Sequence, residues 1–354
     1  MVELVDTLGL EPSAARRVGS TPSIPTNLNF VMKTLSAPII LLFCLGSYAD
    51  EGDIIVSKIQ NSKEYSIDQN SYCRDRTPIN KLNWSEEFEE ESLSKATWKY
   101  AVSNGFIDRG EYISGWGNGE LQYYTKPSKK KTKTNTSKNL LIEGGLLKIQ
   151  PTRKKNGSYK GFKFTSARID TKYLKDFTYP SKITICFKVP AGIGFWPAFW
   201  LMPNEEIIWP QGGEIDIMEN RGRVSNVASS ALHFGKRYDK KSTLVGEVLI
   251  PKEVRFQDKF HSISLEWREN EIKFYLDKED DPYFVIDATH PEFVKYPYPF
   301  NRKYYMIINV AVGGKYDDYL LDKKAFCINE DCSNKENPDD HRFLIDWIEY
   351  EQLE

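Results

Sequence analysis

Between residues 81 and 354, apolar side chains recur at every second position in short runs broken by Gly, Pro, Asn and Asp. The runs at 146–149, 183–189, 263–267, 272–276 and 305–312 keep this period of two, which predicts strands with one buried face. No stretch sustains a 3.6-residue period, and no internal repeat is present. About 270 residues of this kind suit one two-sheet sandwich rather than two domains. Residues 50–80 are polar and without periodicity, and predict a flexible lead into the domain at 81–354.

One run breaks the alternation in an informative way. Gly-Glu-Ile-Asp-Ile-Met-Glu at 213–219 places three carboxylates among strongly apolar neighbours. In a regular strand Glu214 and Asp216 share one face with Met218, and Glu219 falls on the other. One extra residue, a β-bulge near Ile217-Met218, returns Glu219 to the face of Glu214 and Asp216. The expected product is a row of three acids with apolar residues behind it. Such a row suits glycoside hydrolysis, in which two carboxyl groups flank the scissile bond, roughly 5–5.5 Å apart in the retaining mechanism. The central acid raises the proton affinity of its neighbours, so that one Glu stays protonated while the other stays ionised. Calcium ligation is a second reading, but calcium loops are rich in Gly, Asn and Asp, whereas this run has the β-branched content of a strand. A solvated charged edge is a third, and it leaves Ile215, Ile217 and Met218 without purpose.

Composition narrows the class further. The 354 residues carry 48 basic and 50 acidic side chains, a formal charge of −2. That balance gives no global attraction to nucleic acid or an anionic membrane. Aromatic residues make up 13 %, enough to supply stacking platforms as well as a core. Trp196 and Trp200 share a strand face with Ala198 while Phe199 points to the core, so the pair suits stacking on pyranose rings. Trp209, just upstream of the acids, suits the same cleft.

Residues 32–49 have the form of a secretory signal: a charged start at Met32-Lys33, an apolar stretch from Ala37 to Leu45, and small residues at Ser47-Tyr48-Ala49. The apolar stretch is too short to span a bilayer, so no stable membrane insertion is expected. Phe43 before Cys44 argues against a lipoprotein anchor. A secreted or periplasmic bacterial protein is the expectation. Residues 1–31 lie upstream of this signal, resemble a translated leucine transfer-RNA gene, and are read as spurious, with Met32 as the true start. Of the remaining cysteines, Cys327 and Cys332 are expected to bridge and Cys186 to be a packed thiol; Cys73 is unassigned. The basic insertion at 126–138, with Lys126, Lys129, Lys130, Lys131, Lys133 and Lys138, reads as a solvated loop or as a contact for an anionic polysaccharide.

The Glu-x-Asp-x-x-Glu spacing resembles the active-site signature of glycoside hydrolase family sixteen, in the bulge-containing branch that includes laminarinases. Other segments match in the expected order. They are Leu-Asn-Trp-Ser-Glu-Glu-Phe at 82–88, Gly-Trp-Gly-Asn-Gly-Glu-Leu-Gln-Tyr-Tyr-Thr at 115–125 and Phe-Thr-Ser-Ala-Arg-Ile at 164–169. Gly-Phe-Trp-Pro-Ala-Phe-Trp-Leu-Met-Pro at 194–203, Leu-His-Phe-Gly at 232–235, Asn-Val-Ala-Val-Gly-Gly at 309–314 and Ile-Asp-Trp-Ile-Glu-Tyr at 345–350 follow.

The resemblance implies an all-β, concanavalin A-like jelly roll of two curved antiparallel sheets with a concave cleft. It implies a secreted, retaining endo-β-1,3-glucanase, with mixed-linkage glucan or a sulfated galactan such as κ-carrageenan as alternative substrates. A non-catalytic glucan-binding relative would typically lose a catalytic Glu, and both are kept. Glu214 is implied as nucleophile and Glu219 as general acid/base. Asp216 tunes the pair, and His233 lies beside the acid row. Trp116, Asn118, Glu120 and Arg168 are implied in substrate binding, Arg168 alternatively as an ion-pair strut for the acids. No cofactor is implied for catalysis. A structural calcium is implied, held by backbone oxygens of Glu87 and Gly145 and the carboxylate of Asp346. A monomer acting on polysaccharide, without nucleic acid, is expected. Two departures stand out: Asn118-Gly119 in place of Asn-Asn, and Lys315-Tyr316 after the Gly-Gly pair in place of Asn-Trp.

Overall fold

The computed structural model describes residues 54–60, 65–76, 83–127, 139–277, 280–328 and 331–354. The upstream segment, the signal and Cys44 lie outside the described residues, as does most of the lysine-rich insertion. Two eight-membered sheets carry the architecture. Across the first, the strands run in the order Ile54–Ile59, Lys240–Leu249, Val227–Arg237, Glu214–Glu219, Phe195–Pro203, Tyr304–Val312, Arg168–Asp170 and Lys99–Tyr100. The second runs from Phe284–Asp287 through Glu271–Leu276, His261–Trp267 and Ser181–Lys188 to Phe343–Gln352, Leu146–Ile149 and Leu140–Glu143, with Trp84–Glu86 also paired to Phe343–Gln352. Within these two sheets pairing is antiparallel except at the first edge, where Ile54–Ile59 lies parallel to Lys240–Leu249. The result is the expected all-β jelly roll.

The period-two runs explain the core. Phe199, Leu201, Ile215 and Leu232 from the first sheet meet Ile183, Ile185, Ile263, Leu265 and Ile345 from the second, all without solvent exposure. Burying each side chain of this size contributes roughly 1.5–3 kcal/mol, which is why the alternating faces pair inward.

The described parts of the 50–80 lead lie against the sheets. Ile54–Ile59 closes one sheet edge, and the stretch around Cys73 is pinned to the outer face of the second sheet. Cys186 is not a packed thiol. In Ser181–Lys188 the core takes Ile183, Ile185 and Phe187, so Cys186 points outward and bonds Cys73 across 113 residues of sequence. Trp347, Leu146, Leu344 and Phe260 pack around this bridge as a second small cluster. Trp347 Nε1 donates to the carbonyl of Cys73 at 3.1 Å, and Tyr72 N to that of Phe260 at 2.8 Å. Alternation alone carried no sign of this, because a bridge on the outer face looks like any outward residue. The Cys327–Cys332 bridge is present as expected.

Candidate active site

The acid strand Glu214–Glu219 has the anticipated bulge. On one side Phe199 faces Met218 and the next residue, Trp200, faces Asp216, so Ile217 is the extra residue. On the other side Asp216 faces Ala231 and Glu219 faces Ser229, leaving Ser230 opposite two residues. Ser230 Oγ donates to the Ile217 carbonyl at 2.6 Å, satisfying a backbone acceptor at the break in the ladder. Ile217 and Met218 both enter the core with no exposure, and Glu219 returns to the face of the other acids.

Each reacting carboxyl is gripped by an indole. Trp209 Nε1 donates to Glu214 Oε2 at 2.7 Å, and Trp196 Nε1 to Glu219 Oε1 at 2.7 Å. His233, opposite Glu214 in register, sets Nε2 3.0 Å from Asp216 Oδ2 while Nδ1 meets Thr243 Oγ1 at 2.9 Å. The ligand atoms of Glu214, Asp216 and His233 lie within 4.8 Å of one another. His233 touches Asp216 and Asp216 touches Glu214, so the three can exchange protons, and on distance alone they can hold a cation. The Trp209 N–H already occupies one Glu214 oxygen, so the set is better matched to proton sharing.

Burial dominates the electrostatics. It pushes Glu214 up to about 8, with the neighbouring Asp216 charge adding to the rise and His233 and the Trp209 N–H opposing it. Asp216 is raised well above the usual carboxylate range by burial and by the charge of Glu219. Glu219 is also raised by burial, against the pull of the Trp196 N–H, His233 and Arg221. A row of this kind cannot carry three negative charges at neutral pH. Asp216 is hydrogen-bonded to Glu214, and two carboxyls in such contact require one proton between them. All three carboxyls are raised, so the resting row holds protons at neutral pH, and attack requires Glu214 to give up its own.

The other expected binding residues are brought to the same side, with altered roles. Trp196 and Trp200 are half-buried, each with a planar group against its ring. Trp196 stacks on Tyr316 with centroids 4.8 Å apart, and the Arg221 guanidinium lies 4.2 Å from the other ring of that pair, Tyr316. Trp200 donates from Nε1 to Asn309 Oδ1 at 2.7 Å. Arg168 is not a strut for the acids: its guanidinium lies 4.7 Å from the Trp200 ring and 4.1 Å from the Trp116 ring, joining the two indoles. Glu120 is buried inside its own loop, accepting from Asn118 Nδ2 at 3.1 Å, Gln122 Nε2 at 2.6 Å and the Tyr124 hydroxyl at 3.3 Å. Burial raises its carboxyl despite these donors. Gln122 Oε1 in turn accepts from Val312 N at 2.7 Å, so Glu120 and Gln122 together tie the loop to the sheet.

The two departures from the family pattern are coupled in space. Gly119 has φ +69°, and a Cβ there would lie 2.7 Å from the ring of Tyr319. Asn118 O accepts from Lys315 N at 2.8 Å, tying the altered loop to the altered Gly-Gly-Lys-Tyr turn. Sequence reasoning gave no role to Asn309, Tyr316, Arg221 or Thr243. Tyr316 carried a signal as an aromatic standing where another aromatic was expected.

The implied calcium set does not fit. Register does gather it: on the edge of Phe343–Gln352 away from Ser181–Lys188, Ile345 faces Leu147 and Ile348 faces Glu86, which sets Asp346 between positions 145 and 87. However, Arg74 Nε holds Asp346 Oδ2 at 3.2 Å, and Arg76 Nη2 holds both Glu87 oxygens at 2.7 Å. Arg76 also pairs with Glu349 and lies 4.1 Å from the Trp347 ring. Asp346 is the one charged ligand implied, and its partner is a guanidinium. A dication beside Arg74 and Arg76 meets repulsion in place of bare oxygens.

Residues 118–326 match the profile of glycosyl hydrolases family 16. A "Beta-glucanase" of Rhodothermus marinus is 32 % identical over 263 residues, covering 71 % of this chain and 82 % of that protein. "Glucan endo-1,3-beta-glucosidase A1" of Niallia circulans is 30 % identical over 252 residues, covering 67 % of this chain and 34 % of that longer protein. Among solved structures, the endo-beta-1,3-glucanase of Pyrococcus furiosus superposes with a TM-score of 0.63 at 29 % identity, covering 77 % of this chain and 94 % of that one.

Proposed function

Because the chain belongs to glycosyl hydrolases family 16, we propose that its bulged acid row hydrolyses β-1,3-glucan of the laminarin type from within the chain, with retention of configuration. The observation that carries this reading is the paired grip of Trp209 on Glu214 and Trp196 on Glu219, on either side of Asp216. The relatives named as 1,3-glucanases support the linkage. Glu214, in its ionised form with the shared proton moved to Asp216, attacks the anomeric carbon and forms a glycosyl ester as the glycosidic C–O bond breaks. Glu219 gives its proton to the departing oxygen, then takes one from the water that cleaves the ester. Asp216 holds the shared proton during the attack and steadies Glu214 by a hydrogen bond. No cofactor enters these steps. Two disulfides support a secreted or periplasmic location.

The test is Glu214→Ser assayed on laminarin, lichenan and κ-carrageenan, with the anomer of the first product followed by NMR. Loss of turnover with retained oligosaccharide binding, and a β-anomer from laminarin in the wild type, is the expected result. Continued hydrolysis by Glu214→Ser, or an α-anomer, would remove Glu214 from the nucleophile's role. Preference for lichenan or κ-carrageenan would reassign the substrate while leaving the chemistry.

A further inference from the structure

The hairpin of Gly105–Asp108 and Glu111–Ser114 leads into the loop that carries Trp116, Asn118 and Glu120, and it exposes apolar side chains. Phe106 is 41 % exposed and Ile107 72 %, although both lie on a short two-stranded element with no core of its own. Isolated exposed apolar residues are ordinary, and Ile107, on the face opposite Phe106, is one of these; an exposed aromatic on a fixed element beside other rings is the informative case. The hairpin is fixed. Ser103 Oγ donates to the Gly105 carbonyl at 2.6 Å, Tyr112 donates to Asn104 Oδ1 at 2.5 Å, and Tyr124 N binds the Ser103 carbonyl at 2.8 Å.

Phe106 is also continuous with the active site. Its ring lies 6.1 Å from that of Trp116 at an interplanar angle of 27°. Trp116 is joined through Arg168 to Trp200, and Trp200 faces Asp216 across the ladder. Strands spaced about 4.8 Å apart put Arg168, three strands from the acids, roughly 14 Å away, with Trp116 and then Phe106 beyond it. That distance spans several sugar units. Within this file of planar groups Trp116, Arg168 and Trp200 cover one another, whereas Phe106 ends the file with an open ring.

We infer that Phe106 is an outlying sugar-binding platform, which stacks on a pyranose unit of a long β-glucan chain well beyond the bond being cut. The inference rests on the glucanase reading above and adds to it a preference for long chains. An apolar ring face against the C–H face of a pyranose contributes without any hydrogen bond, so the platform tolerates any sugar that presents such a face.

The experiment compares wild type with Phe106→Ala, Phe106→Leu and Phe106→Trp, reading kcat/KM on laminari-oligosaccharides of three to eight units together with Tm. For Phe106→Ala and Phe106→Leu we expect about a tenfold loss on the longest substrates, none on the trisaccharide and an unchanged Tm, with Phe106→Trp restoring the wild-type ladder. An equal loss at every length, or no loss at any, overturns the inference. So does a wild-type dimer that Phe106→Ala dissolves, which would assign the ring to self-association. Should wild type cleave none of the ladder, the glucanase reading falls, and calorimetric binding of the same oligosaccharides then judges Phe106 by itself.

Discussion

Trp196 Nε1 lies 2.7 Å from Glu219 Oε1, so the tryptophan strand fixes the acid/base through a hydrogen bond and not only through packing. The ring is itself backed by Tyr316, which leaves the indole little freedom to let go. A hydrogen bond to a group that gains charge during the reaction is worth roughly 1.5–3 kcal/mol.

Trp196→Phe should therefore lower kcat by about 10- to 100-fold while changing KM little. The Trp196 N–H opposes the rise of the Glu219 carboxyl, so its loss should move the alkaline limb of the pH–rate profile upward. A change in KM alone would show that the ring serves binding and not the acid.

Stability should fall as pH rises. The Glu214 carboxyl is ionised near its ordinary value of 4.5 in the unfolded chain and only near 8 in the folded one. Across that window the native state holds the extra proton, so the stabilisation is complete below about 4.5 and is lost as pH rises through about 8. Asp216 and Glu219 shift in the same direction and add to it. Glu214→Gln should raise Tm at pH 8 and change it little at pH 4.5, as measured by calorimetry.

Removing the bridge by Cys73→Ser with Cys186→Ser should cost roughly 2–5 kcal/mol, since it closes a long loop. Turnover well below Tm should be preserved, because the bridge lies on the outer face of the sheet that does not carry the acids. Equal unfolding midpoints with and without reductant would show that the segment around Cys73 adds nothing.

Chelation should leave Tm unchanged, and added calcium should not raise it, because Arg74 pairs with Asp346, the one carboxylate a metal would need, and Arg76 sets a second positive charge on Glu87. Arg76→Ala should destabilise by roughly 3 kcal/mol, as it strands the buried Glu349 and uncovers Trp347. A fall of Tm in chelator would restore the metal site.

The sandwich was legible because its strands obey a period of two, and the acid row because one residue violates it. Glu214, Asp216, Glu219, His233 and Trp209 converge as the sequence implied. What stayed hidden depends on where outward side chains meet after folding. Trp196 and Trp200 looked like free platforms, since alternation reports a face but not that Tyr316 and Arg168 cover it. Residues 50–80 looked unstructured because an edge strand and a disulfide-pinned segment need no amphipathic period. The arginine pair was invisible for the same reason: its acids lie some ten to nearly three hundred residues away along the chain.

The indole grip also makes the two reacting carboxyls observable one at a time. Trp209 and Trp196 each offer a single ring N–H resonance, directly bonded to a different acid, and Trp200 on Asn309 supplies a neighbour whose acceptor does not titrate. The native chain thus carries separate built-in spectroscopic probes for nucleophile and proton donor, readable through a pH titration without any label.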